Sequence, residues 1–228
     1  MKNTLINREI IKRIAKAMGN LNDEIIYVGG AIVSLYADDP AADDIRPTKD
    51  IDISLSVATF GELENVREQL TQKGFYQSSE LDIICRFHYE DIMVDVMNTK
   101  AIGWSPTNRW FKKGFERRAK YLIEETSIFI MPFTCFFASK IEAYKGRGGN
   151  DPRMSHDFED ITYLLDNRME WQEDIKIETD FELKEYITNF LTDIKKNDLM
   201  QEAIIGNLYY ETAESRLEKI MTKIDLTL

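Results

Sequence analysis

Thr48-Lys49-Asp50-Ile51-Asp52-Ile53-Ser54-Leu55 alternates charged or hydroxyl side chains with aliphatic ones. In an extended strand this puts Asp50, Asp52, Ser54 and Ser56 on one face and Ile51, Ile53, Leu55 and Val57 on the other. The aliphatic face is core. The opposite face presents two carboxylates whose like charges repel at that spacing. A hard, oxygen-preferring ion such as Mg²⁺ would relieve the repulsion. Asp-x-Asp also occurs at solvated strand ends and turns, so the flanking sequence has to decide.

Upstream, Glu24 to Val28 reads as a short buried strand, and Gly29-Gly30 turns the chain into a helix from Ala31 to about Tyr36. Backbone N–H groups at such a turn can approach a phosphate closely; a plain tight turn is the alternative. Neither a P-loop nor a dinucleotide fingerprint is present. Asp38 to Pro47 is a loop with four aspartates and a single Arg46. Downstream, Thr59 or Ser56 can cap a helix through Lys73, with Phe60, Leu63, Val66 and Leu70 facing inward and Gly74 ending it. Strands follow near Ile83 to Tyr89 and Ile92 to Met97. In the second, Asp95 stands between Val94 and Val96, where a buried charge is costly unless something pairs with it. It is either a third metal-facing carboxylate, or an Asp that caps a turn or meets a buried Arg.

Further out, a helix runs from Asn3 or Thr4 to Met18, with Ile6, Ile10, Ile14 and Ala17 as its apolar side. Residues 98–115 read as irregular. They carry Trp104 and Trp110 and lead into Lys112, Lys113, Arg117, Arg118 and Lys120, which could meet RNA or triphosphate, or form a solvated face. A strand near Ile128 to Met131 precedes a helix that opens at Pro132-Phe133-Thr134 and ends near Tyr144 or Lys145. After a loop containing Gly148-Gly149, Ser155 caps a helix bearing Asp157 and Asp160 on neighbouring positions. From Trp171 onward the pattern is acidic and helical. These elements predict an α+β fold: a mixed β-sheet flanked by helices over residues 1–131, followed by a C-terminal helical domain over 132–228.

The net charge of -11 argues against non-specific coating of nucleic acid, which depends on Lys and Arg, though a local basic patch remains compatible with it. Cys85 and Cys135 lack metal-ligand spacing and read as reduced thiols of a cytoplasmic protein. With His88 and His156 the only histidines, a His/Cys zinc site is not expected. The most apolar stretch, Ser127 to Ala138, is too short to span a bilayer.

Strand, Gly-Gly, helix, Asp-x-Asp strand, helix and a strand with one Asp, followed by an all-helical half, resembles the DNA polymerase β-like nucleotidyltransferase superfamily. Within it the chain looks most like the AbiEii/MenT group of toxin-type nucleotidyltransferases. That closer resemblance rests on Val28-Gly29-Gly30, on Arg46-Pro47-Thr48-Lys49-Asp50-Ile51-Asp52, and on Lys140, Arg147 and His156-Asp157-Phe158-Glu159-Asp160-Ile161. It spans roughly Ile25 to Leu165. Members of the group often have Ser or Thr soon after the glycine pair, whereas here Ala31-Ile32-Val33 precedes Ser34.

The resemblance implies transfer of NMP from an NTP to an acceptor hydroxyl. Asp50, Asp52 and Asp95 would hold Mg²⁺ or Mn²⁺, with Lys140 also in the catalytic set. Gly29, Gly30, Lys49, Arg147, Asp157 and Asp160 would form the nucleotide-binding group. Asp157 and Asp160 would orient Lys140 and Arg147, or cap their own helix. The expected acceptor is RNA, in particular a tRNA end, and a cognate antitoxin protein is an expected partner; a monomer is the default state. A transferase acting on a small hydroxylated molecule is the alternative, and a catalytically idle fold that binds nucleotide or a partner is the third.

Overall fold

A computed structural model describes residues 2–48, 50–77, 84–147 and 151–228. Lys49, the start of the strand expected from Ile83 and the Gly148-Gly149 loop lie outside them. The chain forms two compact units, one of Met1–Ile32 with Arg46–Pro132, the other of Val33–Ile45 with Phe133–Leu228.

The first unit holds one mixed sheet of six strands: β1 (Ile25–Val28), β2 (Asp50–Leu55), β3 (Arg86–Tyr89), β4 (Ile92–Asn98), β5 (Ala119–Ile123) and β6 (Thr126–Ile130), in the order β3-β4-β2-β1-β6-β5. The β1–β2, β3–β4 and β5–β6 pairs are antiparallel, while β2–β4 and β1–β6 are parallel. Helices α1 (Lys2–Met18), α2 (Phe60–Gln72) and the short α3 (Phe111–Glu116) belong to the same unit. The aliphatic side chains of β2 and β4 form its centre, with Ile51, Ile53, Leu55, Val94 and Val96 all buried.

The second unit is helical: α4 (Phe133–Gly146), α5 (His156–Asn167), α6 (Trp171–Lys176), α7 (Phe181–Lys196), α8 (Asp198–Asn207) and α9 (Ala213–Thr227). Within it the 33–45 stretch is tied down by Arg168 donating to the Tyr36 carbonyl (3.2 Å), by the Tyr163 hydroxyl donating to the Asp43 carbonyl (3.2 Å) and by the Arg216–Asp43 ion pair (2.8 Å). Tyr36 stacks on Phe136 with ring centroids 4.3 Å apart. Among the described residues, no helix is long and apolar enough to cross a membrane.

Local chemistry sets several boundaries. Thr59 and Glu62 form a capping box at the start of α2, and the Ser155 hydroxyl accepts from the Phe158 N–H at the start of α5. Other expectations fail. The buried stripe of α1 is Asn7, Ile11, Ile14, Ala15 and Met18, and Ile6 is exposed. The buried stripe is turned by about one residue from the expected one at its start and shares Ile14 with it, because the partner packed against α1, not the periodicity alone, selects which face is covered. Phe60 is 57 % exposed rather than inward: it is the first residue of α2, and its ring lies over Gly103. The turn after β1 is a six-residue 3-10 segment, Gly30–Leu35, in place of the expected helix. Residues 111–116 and 119–123, in and just after the supposed irregular stretch, form α3 and β5.

Candidate active site

Each of the three acidic residues is placed by sheet register. β2 and β4 run parallel with Asp52 opposite Asp95 and Asp50 opposite Met93. On the other side of β2, Asp52 is opposite Val28, the last residue of β1. Beyond β4, Arg86 of β3 is opposite Asp95. One row across four strands therefore reads Arg86, Asp95, Asp52, Val28, with Asp50 two residues along from Asp52 on the same face. In β4 burial alternates strictly, so Met93, Asp95 and Met97 occupy the more open face and Ile92, Val94, Val96 and Asn98 the buried one.

Gly29 closes this row. Its φ is +74°, in the left-handed region that favours glycine, and a Cβ built there would lie 1.8 Å from Asp52 Oδ2 and 2.5 Å from its Cγ. The Asp52 carboxylate thus lies against bare backbone at the bend that leaves β1. Thr48 Oγ1 donates to Asp50 Oδ1 (3.0 Å) and to the Asp50 carbonyl (3.2 Å), holding the entry to β2.

Arg86, which the sequence reading does not name, pairs with two of the three carboxylates. Its Nε donates to Asp95 Oδ1 (2.7 Å), its Nη2 to Asp95 Oδ2 (2.6 Å) and, more weakly, to Asp50 Oδ2 (3.4 Å). The Asp95 pair has the bidentate geometry in which Arg–carboxylate pairs are strongest. The hydrogen bonds that Arg86 donates to Asp95 hold the guanidinium further above its usual range, and burial, followed by the Asp95 charge, pushes the neighbouring Cys85 thiol up. The sequence did carry a signal for Arg86, since an Asp inside an apolar strand calls for a partner, and Arg86 lies within the strand expected at Ile83 to Tyr89.

By donor type, the carboxylates of Asp50 and Asp52 fit a hard divalent cation. As arranged here the three-carboxylate set does not: both Asp95 oxygens are engaged by Arg86, and among the described residues no group of three His, Cys, Asp or Glu side chains is disposed to hold a metal ion.

The remaining residues implied by the resemblance belong to the second unit and form their own cluster. Lys140 of α4 is buried and donates to Asp160 Oδ2 (2.6 Å), with Asp157 Oδ1 at 3.5 Å. Arg147, just after α4 and largely exposed, donates to Asp157 Oδ2 (3.0 Å). Asp157 and Asp160 thus anchor the two basic side chains, and the N-cap of their own helix is Ser155. Lys140 is held by carboxylates within its unit. Gly30, like Gly29, lies at the bend after β1, and Lys49 is outside the described residues.

No protein-family model and no curated protein matches the chain. Among solved structures it is similar to the crystal structure of an antigenic nucleotidyltransferase-like protein from Paracoccidioides brasiliensis. The TM-score is 0.53 and the identity 16 %, with 87 % of this chain and 91 % of that one covered. At that identity the likeness is one of fold, and the six-stranded mixed sheet with its helical second unit is a nucleotidyltransferase-like α+β fold.

Proposed function

We propose that the chain is a nucleotidyltransferase that moves NMP from an NTP to an acceptor hydroxyl at the Asp50, Asp52 and Asp95 face. The observation that carries this reading is the in-register pairing of Asp52 with Asp95 beside Gly29, where a carboxylate lies against backbone that admits no side chain. In the transfer the acceptor oxygen forms a bond to the α-phosphorus, the bond between the α and β phosphates breaks, and pyrophosphate leaves. The hydroxyl proton passes to a carboxylate of the face or to water. Mg²⁺ or Mn²⁺ held by Asp50 and Asp52 would supply neutralising charge for the triphosphate.

The favoured acceptor is RNA. Its support is the basic stretch of the first unit, where Lys112, Arg117 and Lys120 are exposed. Arg109 and Lys113 lie over the Trp110 ring, and Arg118 and Lys120 over that of Phe129. With those ring faces covered by cations, the stretch is suited to phosphates rather than to base stacking. The net charge of -11 favours the second reading, a small hydroxylated acceptor. A toxin role, with an antitoxin as partner, rests on the Arg46-to-Asp52 pattern; induced expression should arrest growth, and Asp52→Asn should abolish the arrest.

Incubation with each labelled NTP, Mg²⁺ and total tRNA, and in parallel with small hydroxylated acceptors, tests the assignment. Label in RNA supports the first reading, and label only in small acceptors the second. Absence of transfer to either, or transfer undiminished in both Asp50→Asn and Asp52→Asn, overturns the assignment.

A further inference from the structure

The acidic face carries its own cation. Arg86 spans the two strands that would supply metal ligands, donating from Nε and Nη2 to the two Asp95 oxygens and from Nη2 to Asp50. Its side chain is 18 % exposed, that of Asp95 13 % and that of Asp50 34 %, so the pair is largely withdrawn from water and only weakly screened by salt. The guanidinium is always charged and holds one lone pair on each Asp95 oxygen, so a divalent ion approaching Asp95 meets a fixed positive charge at close range.

We propose that Arg86 is a built-in counter-cation that a divalent ion must displace before Asp95 becomes a ligand, so that Arg86 weakens binding of free divalent cations to this face. The proposal rests on the reading of the face as a divalent-ion site. Formally, three carboxylates against one guanidinium leave a charge of -2 among these four side chains. Removing Arg86 raises this to -3 and frees the Asp95 oxygens, which are two effects of the same sign. An incoming metal–triphosphate differs from a free ion because it brings anionic oxygens for the displaced guanidinium. Arg86 therefore favours the metal–nucleotide complex over the metal alone.

The test is Mn²⁺ titration of the full chain, with free Mn²⁺ followed by electron paramagnetic resonance. Arg86→Gln should bind Mn²⁺ about tenfold more tightly than wild type, or better. Arg86→Lys keeps the charge and should stay near the wild-type affinity. A second measurement uses the wild-type chain alone: phenylglyoxal modification of Arg86, read by peptide mass spectrometry, should accelerate severalfold at saturating Mn²⁺ as the side chain is released.

An Arg86→Gln affinity equal to or below wild type, or Arg86 modification unchanged by bound Mn²⁺, overturns the counter-cation proposal while leaving a metal site intact. Failure of both wild type and Arg86→Gln to bind Mn²⁺ at millimolar concentration overturns the metal reading along with it.

Discussion

Replacing Gly29 by alanine tests the geometry on which the site depends. At φ +74° an alanine takes up a left-handed backbone at a cost of about 1–2 kcal/mol. The new methyl would lie 1.8 Å from Asp52 Oδ2, 2.5 Å from Cγ and 2.7 Å from Cβ, so the carboxylate must swing away or β1 must shift from β2. Overpacking of that kind costs about 1–3 kcal/mol more, giving a total of about 2–5 kcal/mol. Asp52→Ala removes the two nearest contacts and leaves the Cβ contact and the backbone cost. In a double-mutant cycle, Gly29→Ala should therefore cost about 1–2 kcal/mol less on the Asp52→Ala background. Urea unfolding followed by circular dichroism gives the four stabilities, and amide exchange in β1 and β2 locates the loss. Equal costs on both backgrounds, within about 0.5 kcal/mol, would refute the clash. A neutral Gly29→Ala would refute the backbone assignment as well.

Gly61 supplies the contrasting case: it is the second residue of α2, with no atom within 4 Å of its built Cβ, and Gly61→Ala should stabilise by about 0.4–1 kcal/mol by restricting the unfolded chain, measured by the same denaturation. Lys140→Met should cost about 3–5 kcal/mol, because it leaves the almost fully buried Asp160 without its cation. A loss under about 1 kcal/mol by urea denaturation would instead mark Lys140 as dispensable to its unit. Burial holds the Tyr27 phenol well above its usual range, and its hydroxyl donates to Asn22 Oδ1 (3.0 Å). A raised folded value means this contribution is intact below the unfolded value near 10 and is lost as pH rises beyond it, at up to about 1.4 kcal/mol per pH unit. Tyr27→Phe should accordingly flatten the alkaline fall in stability above about pH 10, while costing about 1 kcal/mol at neutral pH for the lost hydrogen bond.

The legibility of the site follows the range of the interactions that build it. Alternation in Asp50–Leu55 is a property of adjacent residues, and it correctly separates the buried Ile51, Ile53 and Leu55 from the half-buried aspartates. The caps at Thr59 and Ser155 are equally local, each reaching only three residues along. Local periodicity misjudged α1 and Phe60, where the facing partner fixes which side is buried. It also missed β5, which is short and mostly exposed and which its pairing with β6 defines as a strand.

What the sequence determined by itself was a set of side chains and their local faces: a diglycine bend, an Asp-x-Asp strand and a lone Asp in a second strand. Tertiary structure alone decided that Asp52 and Asp95 are opposite one another, that Arg86 completes their row, and that residues 33–45 join the helical unit. The reason is physical. Strand order and register are fixed by hydrogen bonds and packing between segments distant in the chain, and a shift of one residue in β4 would have turned Asp95 to the opposite face of the sheet.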